Sequence, residues 1–204
     1  MKKIALGCGV IAVIVAGILL LVGVGGYNKL VGLKQGVDSG WAEVQNQYQR
    51  RADLIPNLVQ TVSGAANFEK STLEAVVQAR ASVGQMKITP GEAPATVEQL
   101  KQFDQAQGQL GAALSRLLVV AERYPELKAN ANFQNLQAQL EGTENRIATA
   151  RGRFNEVVKG YNTAVQTFPT VLYAALVGFT PRPYFEAKPG SDVTPSVKFD
   201  FGNK

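Results

Sequence analysis

The side chains that could do chemistry in this chain are carboxylates, guanidiniums and amides, because the sequence has no histidine and one cysteine, Cys8, which lies in an apolar run. Histidine-based general bases, Cys/His zinc sites, disulfide frameworks and thiol nucleophiles outside that run are therefore excluded by counting. A glycine-rich phosphate loop and a nucleophile elbow are also missing from the sequence. The net charge of +5 over 204 residues is too small to indicate a nucleic-acid partner.

Glu69 and Arg80 are the most unusual charged residues, because helical spacing counted from Ile55 places both on the apolar face of a predicted helix. They lie about 16 Å apart along the helix axis, which is too far for them to pair. One interpretation is a polar network or a small-ligand site in the core. The simpler interpretation is that each is satisfied across helices and fixes the register of a bundle.

The last predicted helix carries a second group of charges. Glu141 and Glu144 could act as the carboxylate pair of a glycosidase. Carboxylates three residues apart on one helix are more typical of a solvated face with local ion pairs. The same patch contains Arg146, Arg151 and Arg153.

Two further pairs have both a functional and a structural interpretation. Arg50 and Arg51, beside Asp53, could bind a lipid phosphate or an acidic partner, but a solvated turn is the simpler prediction. Asn155 and Asn162 lie one heptad apart, just beside the apolar face. They either specify register, as a buried asparagine does in a coiled coil, or are exposed.

The elements that must position these residues are predicted to be long helices, because apolar residues recur at alternating steps of three and four. The last helix is predicted over residues 132–168, with its first residue as the N-cap, and stops before Pro169. The preceding helix starts with a predicted capping box of Thr96 and Gln99. It ends at Tyr124, because the next residue is a proline.

The first half of the chain has two alternative interpretations. One has a helix that carries Trp41 on its apolar face, followed by a separate helix over residues 54–84 that is capped by Asp53, with Pro56 in its first turn. The other has one bent helix in which Pro56 is a kink. The irregular step in the apolar register favours the separate or sharply bent pair. The Pro/Gly-rich segment 84–95 is the strongest break in the chain.

Residues 4–26 are predicted to be a membrane anchor in contact with lipid. This uncharged run is about 35 Å long as a helix, enough to span a hydrocarbon core of about 30 Å. A cleaved signal peptide would have a shorter apolar region. Flanking charges, Lys2 and Lys3 before the run and Lys29 and Lys34 after it, favour a cytoplasmic N-terminus and an outward domain.

The predicted fold is all-α. An anchor over residues 1–26 precedes an antiparallel up-and-down bundle over 27–168, with four helices, or three if the first two are one bent helix. A proline-rich tail, 169–204, ends in a short amphipathic strand without a partner strand in the sequence. Such a strand predicts contact with a neighbouring copy. Its apolar residues are Val197, Phe199 and Phe201.

Several segments between Tyr27 and Arg80 resemble the LemA family: YNKLVGLKQGVDSGW, RRADLIPNLVQTV and FEKSTLEAVVQARA. RLLVVAERYPELKANANFQNLQAQLEGTENRIATAR, RFNEVVKGYN and the FP…GF…YF tail are similar to it as well. The resemblance implies a bacterial single-span membrane protein of the cell envelope with a helical bundle, and one branch of the family is associated with magnetosome membranes. It supplies no agreed catalytic residues. Family descriptions place the domain in the cytoplasm, opposite to the charge-based orientation.

The leading hypothesis is a non-enzymatic scaffold in the bacterial inner membrane, which forms a homo-oligomer and contacts other envelope proteins. No cofactor, metal or nucleic acid is expected. The alternative is a sensor whose bundle binds a small ligand, with Glu69 and Arg80 as candidates. An envelope hydrolase is a remote third hypothesis, because histidine is missing and the carboxylates are scattered.

Overall fold

The computed structural model describes residues 2–65, 68–85 and 91–186, and this part of the chain contains helices and no strand. The all-α prediction is therefore confirmed. A 3-10 turn over Thr170–Leu172 follows the last helix. The α-helices are α1 (Lys2–Ser63), α2 (Lys70–Gly84), α3 (Val97–Ala121), α4 (Pro125–Lys128) and α5 (Ala131–Gln166).

Helices α1 and α5 form the long axis of the bundle and run antiparallel. Trp41 of α1 contacts Phe154 of α5, and ten residues further along α1, Arg51 binds Glu144, ten residues back along α5. The part of α1 beyond residue 26 has about 37 residues, and α5 has 36. Each is therefore about 55 Å long, which lets the two pair end to end.

Helices α2 and α3 complete the bundle. α3 runs parallel to α1, because Tyr48 contacts Phe103 and, one turn on, Arg51 binds Gln107. α2 runs in the opposite direction to α3, because Glu69, which caps the start of α2, pairs with Arg123, two residues beyond the end of α3. Helices α1, α2, α3 and α5 therefore alternate in direction, and the predicted antiparallel up-and-down bundle is confirmed.

α1 is one unbroken helix of 62 residues with Pro56 inside it. The prediction of two separate or sharply bent helices is wrong, and Asp53 is an interior residue, not a cap. Proline lacks the N–H that would bond the carbonyl of Ala52 in a regular helix. Arg80 of α2 donates its Nε–H to that carbonyl at 3.3 Å. A side chain from the neighbouring helix thus satisfies the group that Pro56 leaves free.

Replacing Arg80 by methionine is expected to lower the free energy of unfolding by about 0.5 to 1 kcal/mol, the net value of one surface hydrogen bond. In a Pro56→Ala background the same change is expected to cost nothing, because the new backbone N–H bonds Ala52 itself. A double-mutant cycle by chemical denaturation measures the difference. An equal loss in both backgrounds would show that Arg80 acts elsewhere.

The predicted helix over 54–84 is two elements. α1 ends at Ser63, and α2 starts at Lys70 with Glu69 as its N-cap. Serine and glycine are poor helix formers, and Gly64 follows Ser63 at the end of α1. The apolar spacing continues across this break, which is why it predicted a single helix.

The predicted helix caps are confirmed at α3 and shifted at α5. Thr96 and Gln99 form the capping box at the start of α3. The N-cap of α5 is Asn130, whose Oδ1 accepts a hydrogen bond from the backbone N–H of Asn132 at 2.9 Å. Asn132 is thus inside the helix and not the cap. α5 ends at Gln166, two residues before the predicted end.

The apolar core consists of two clusters stacked along the bundle. The first surrounds Trp41 and ends on α1 at Tyr48; the second starts on α1 at Ile55 and surrounds Leu58. On α5 the same gap lies between Ile147 and Leu140. The layer between the clusters is polar, and Arg51 lies at its centre.

Candidate functional site

Arg51 is buried in the middle of the bundle, with 4% of its side chain exposed. Its Nη1 donates to Glu144 Oε1 at 2.5 Å, and its Nη2 donates to Gln107 Oε1 at 2.5 Å and to the backbone oxygen of Gln107 at 3.2 Å. The guanidinium carbon lies 5.0 Å from the centre of the Tyr48 ring. We call Arg51, Gln107 and Glu144 the polar layer.

The prediction of a solvated turn around Arg51 is wrong. Arg51 lies three residues after Tyr48 and four before Ile55. Because α1 is continuous through all three positions, they share one face of the helix, and Arg51 faces the core. Its neighbour Arg50 is exposed, as predicted. A buried guanidinium needs hydrogen-bonded partners, and the polar layer supplies them to both terminal nitrogens of Arg51, from α3 and α5.

A second ion pair lies one to two turns from the polar layer. Arg151 Nη1 of α5 binds Asp104 Oδ1 of α3 at 3.0 Å. The Arg151 guanidinium also covers the Phe185 ring, 4.2 Å from its centre. Burial raises the pKa of Tyr48 above its ordinary value, and the nearby charges of Arg151 and Arg51 oppose that rise. Tyr48 is therefore a neutral phenol at physiological pH.

A groove of about 590 Å³ opens between α3 and α5, and the three residues of the polar layer form part of its lining. Its α3 wall has small side chains, and the charged groups that line it have partners: Arg51 with Glu144, Arg151 with Asp104, and Glu141 with Gln137. Each charged side chain that lines the groove thus has an ion-pair or hydrogen-bond partner among the described residues. The small wall residues are Gly108, Gly111, Ala112 and Ser115.

Glu69 and Arg80 do not lie in the core, so their predicted placement on the apolar face is wrong. Glu69 is a partly exposed N-cap residue; it accepts a hydrogen bond from Thr72 and pairs with Arg123 at 3.5 Å. Arg80 is exposed and binds Ala52. The placement is wrong because the count from Ile55 crossed the helix break after Ser63.

The charged patch on α5 is divided between two environments. Arg146 and Arg153 are exposed, as the solvated-face interpretation predicted. Glu144 and Arg151 instead turn towards α1 and α3 and hold the paired charges described above. The described residues contain no cluster of histidine, cysteine or carboxylate side chains that could hold a metal ion.

Asn155 and Asn162 each bind the backbone of the tail through two hydrogen bonds. Asn162 donates to the oxygen of Arg182 and accepts from its N–H, both at 2.8 Å. Asn155 binds the N–H and the oxygen of Phe185 in the same way, both at 2.9 Å. We call this arrangement the tail clamp. Neither register between helices nor exposure was the correct prediction.

The spacing of the tail clamp follows from simple geometry. Seven helical residues rise about 10.5 Å, and three residues of extended chain span about 10 Å. One heptad on α5 therefore matches three residues of tail, and each carboxamide replaces the partner that a neighbouring strand would provide. Sequence spacing could indicate the pair of asparagines, but not the backbone that they bind.

The clamped tail completes the first core cluster. Phe185 is buried against Trp41 and Phe154, with ring centres 6.0 and 5.6 Å apart. Arg182 Nη1 donates to the oxygen of Ala93, whose N–H binds Asp38 of α1. The tail thus ties α1, α5 and the loop before α3 together. The candidate contact residues Val197, Phe199 and Phe201 lie outside the described residues.

Within the described part of the chain, α1 is the one helix long and apolar enough to cross a membrane. Among residues 11–26, the side chains that the structure describes are almost all exposed, as in Val13, Leu20 and Leu21. A lipid-facing helix has this character, whereas a core helix is covered by protein. The span and the bundle together define a membrane-associated helical-bundle protein.

The family model of the LemA family matches residues 40–199, and the chain belongs to that family. Magnetosome protein MamQ of Magnetospirillum gryphiswaldense is 28% identical over 191 residues, which cover 84% of this chain and 70% of the relative. Magnetosome protein MamQ 1 of Paramagnetospirillum magneticum is 27% identical over 190 residues, with the same coverage. Protein LemA of Metamycoplasma hominis is 23% identical over 158 residues, covering 78% of this chain and 68% of the relative.

Proposed function

We propose that this chain is a non-enzymatic scaffold in the bacterial inner membrane, which acts through protein–protein contact and as a homo-oligomer. The observation that carries the proposal is the continuity of α1. Its 62 residues run from the span into the bundle without a loop, a distance of about 93 Å. A stiff connection fixes the bundle relative to the anchor, which suits a protein that holds partners at a set position.

The chemistry of the bundle supports the same proposal. The buried guanidinium is neutralised by a carboxylate, and the other charged side chains of the groove have ion-pair or hydrogen-bond partners as well. Such groups stabilise and orient helices, whereas catalysis needs a side chain whose proton or lone pair is available to a substrate. The relatives named as magnetosome proteins favour a part in organising a membrane-bound assembly.

The scaffold proposal holds for either orientation of the chain in the membrane. The lysines that flank the span favour a cytoplasmic N-terminus and an outward domain. The family resemblance implies a cytoplasmic domain instead. In both cases α1 holds the bundle directly at the membrane surface.

Deleting residues 190–204 is expected to reduce the oligomer towards the mass of a single chain, because the amphipathic segment that would pair with a neighbouring copy is lost. Native mass measurement of the detergent-extracted protein tests this. A truncated chain with the mass of the full-length assembly would contradict self-association through this segment.

Substitutions within the segment provide a matched control for the deletion. Serine at Val197, Phe199 and Phe201 is expected to reproduce the loss of the oligomer, because these residues share one face of the predicted strand. Serine at Lys198 and Asp200, on the opposite face, is expected to leave it unchanged. Equal effects of the two sets would argue against a specific apolar contact.

A further inference from the structure

The turn that follows α5, residues 168–177, exposes large apolar side chains. Phe168 is 80% exposed and Leu176 is 86% exposed. Not one charged residue lies between Lys159 and Arg182. We call residues 168–177 the apolar turn. Contiguous apolar surface of this kind marks a site of contact with a protein or a membrane. The other exposed members are Val171, Leu172 and Val177.

The apolar turn is a folded element in which several backbone groups form local hydrogen bonds. The N–H of Ala174 binds the oxygen of Thr170 at 2.9 Å, and the N–H of Phe179 binds the oxygen of Ala174 at 2.9 Å. Ala174 and Phe179 are buried and fix the turn to the bundle, and Gly178 adopts the positive φ of 85° that closes it. Internal hydrogen bonds of this kind are what a segment needs to enter lipid.

The apolar turn lies beside the end of the span. Tyr173 packs so closely on Gly26 that a Cβ at that position would overlap the tyrosine hydroxyl. The rings of Phe179 and Tyr27 contact each other in a T-shaped arrangement, with ring centres 5.6 Å apart. Residue 26 is the last residue of the predicted span, and two residues before it the side chain of Val24 is exposed and apolar. The turn is therefore at the level where α1 leaves the bilayer.

We propose that the apolar turn inserts into the membrane that α1 spans and forms a second, interfacial anchor for the bundle. The occupant of this surface is lipid, because the patch is continuous with the lipid-facing surface of α1. Apolar side chains at such a boundary bury about 5–10 Å deep, and tyrosine is enriched there. The inference rests on the membrane span of the proposed function, but not on the scaffold role or the oligomer.

The test places the environment-sensitive dye NBD at single cysteines in the full chain, on a Cys8→Ser background. Leu176→Cys reports on the apolar turn, Leu20→Cys on the span, and Val119→Cys on an exposed apolar position of α3. Leu176 makes few contacts, so its replacement leaves the packing intact. The variants are reconstituted in vesicles of phosphatidylcholine and phosphatidylglycerol that contain spin-labelled lipid.

The dye at position 176 is expected to be quenched by the spin-labelled lipid at least about threefold more strongly than the dye at 119. Iodide in the water is expected to quench the two in the reverse order. Equal lipid quenching at 176 and 119 overturns the proposal. Protection of 176 from both quenchers also overturns it and indicates a second copy on the turn. If position 20 is not quenched by lipid either, the span itself fails, and the proposed function fails with it.

Discussion

Replacing Trp41 by alanine is expected to lower the free energy of unfolding by about 3–5 kcal/mol, the usual cost of removing a large aromatic ring from a core. Trp41 is fully buried. It contacts Phe103 of α3, Phe154 of α5 and Phe185 of the tail, with ring centres 4.9 to 6.0 Å apart. A single side chain on α1 therefore contacts three other segments. The cavity that alanine would leave could not be filled by the movement of one helix.

A second variant, Trp41→Phe, keeps an aromatic ring at position 41 but removes the indole N–H. Comparing it with Trp41→Ala distinguishes the contribution of the ring from that of the N–H. The indole N–H of Trp41 finds no hydrogen-bond acceptor among the residues that the structure describes. Trp41→Phe removes no hydrogen bond, so its cost is expected to stay below about 2 kcal/mol. Far-ultraviolet circular dichroism during guanidinium denaturation in detergent compares the two variants. Equal losses would show that the indole N–H contributes more than the ring volume.

Local signals in the sequence predicted the helices well and the break between them poorly. Capping boxes and proline stops act within one turn, so Thr96 with Gln99 and the helix end before Pro169 could be identified from spacing alone. The break after Ser63 has no proline, and the apolar spacing continues across it. Counting helical spacing from Ile55 placed two charged residues, Glu69 and Arg80, on an apolar face. Charges at such positions indicated that the count had crossed a break between helices.

The burial of Arg51 was not predicted, for the opposite reason: a break was predicted at a point where α1 continues. Along α1 the buried residues alternate at steps of four and three, and Arg51 lies at one of these positions between Tyr48 and Ile55. An unbroken count through Pro56 would have placed Arg51 in the core. The carbonyl-binding side chain of Arg80, which makes Pro56 acceptable there, comes from another helix and leaves no local signal.

The tail clamp could be predicted in part. The heptad spacing of Asn155 and Asn162 marked them as related, since both lie just beside the apolar face of α5. Their partners are backbone groups of Arg182 and Phe185, 20 and 30 residues further on. Backbone groups carry no sequence signature, so an extended tail against a helix cannot be read from residue types.

The polar layer makes a prediction that depends on the unequal exposure of its two charges. Arg51 is 4% exposed, whereas Glu144 is 53% exposed. Glu144→Leu leaves a buried guanidinium with only the oxygens of Gln107, and breaking a buried pair in this way is strongly unfavourable. Since Glu144 itself is half in water, we expect a loss of about 2–3 kcal/mol in the free energy of unfolding, somewhat below the cost for a fully buried pair.

Arg51→Met is expected to cost about 1 kcal/mol: methionine fills the buried space and the half-exposed Glu144 returns to water, although the buried Gln107 loses a donor. The double variant, Arg51→Met with Glu144→Leu, is then expected to be more stable than Glu144→Leu alone. Denaturation of the three variants measures this rescue as a coupling free energy. A larger loss for Arg51→Met than for Glu144→Leu would mean that the layer is a net source of stability.

If the double variant is rescued in this way, the polar layer adds little to the free energy of unfolding. Its effect is then to select one alignment of the helices. A shift of α5 by one turn against α1 moves Glu144 about 5.4 Å from Arg51 and leaves the guanidinium unpaired in the core. The aligned state is then preferred because the shifted states are penalised. Arg51→Met removes that penalty, so amide hydrogen exchange along α5 is expected to quicken although the global stability changes little. Unchanged exchange in Arg51→Met would show that the apolar clusters alone set the register.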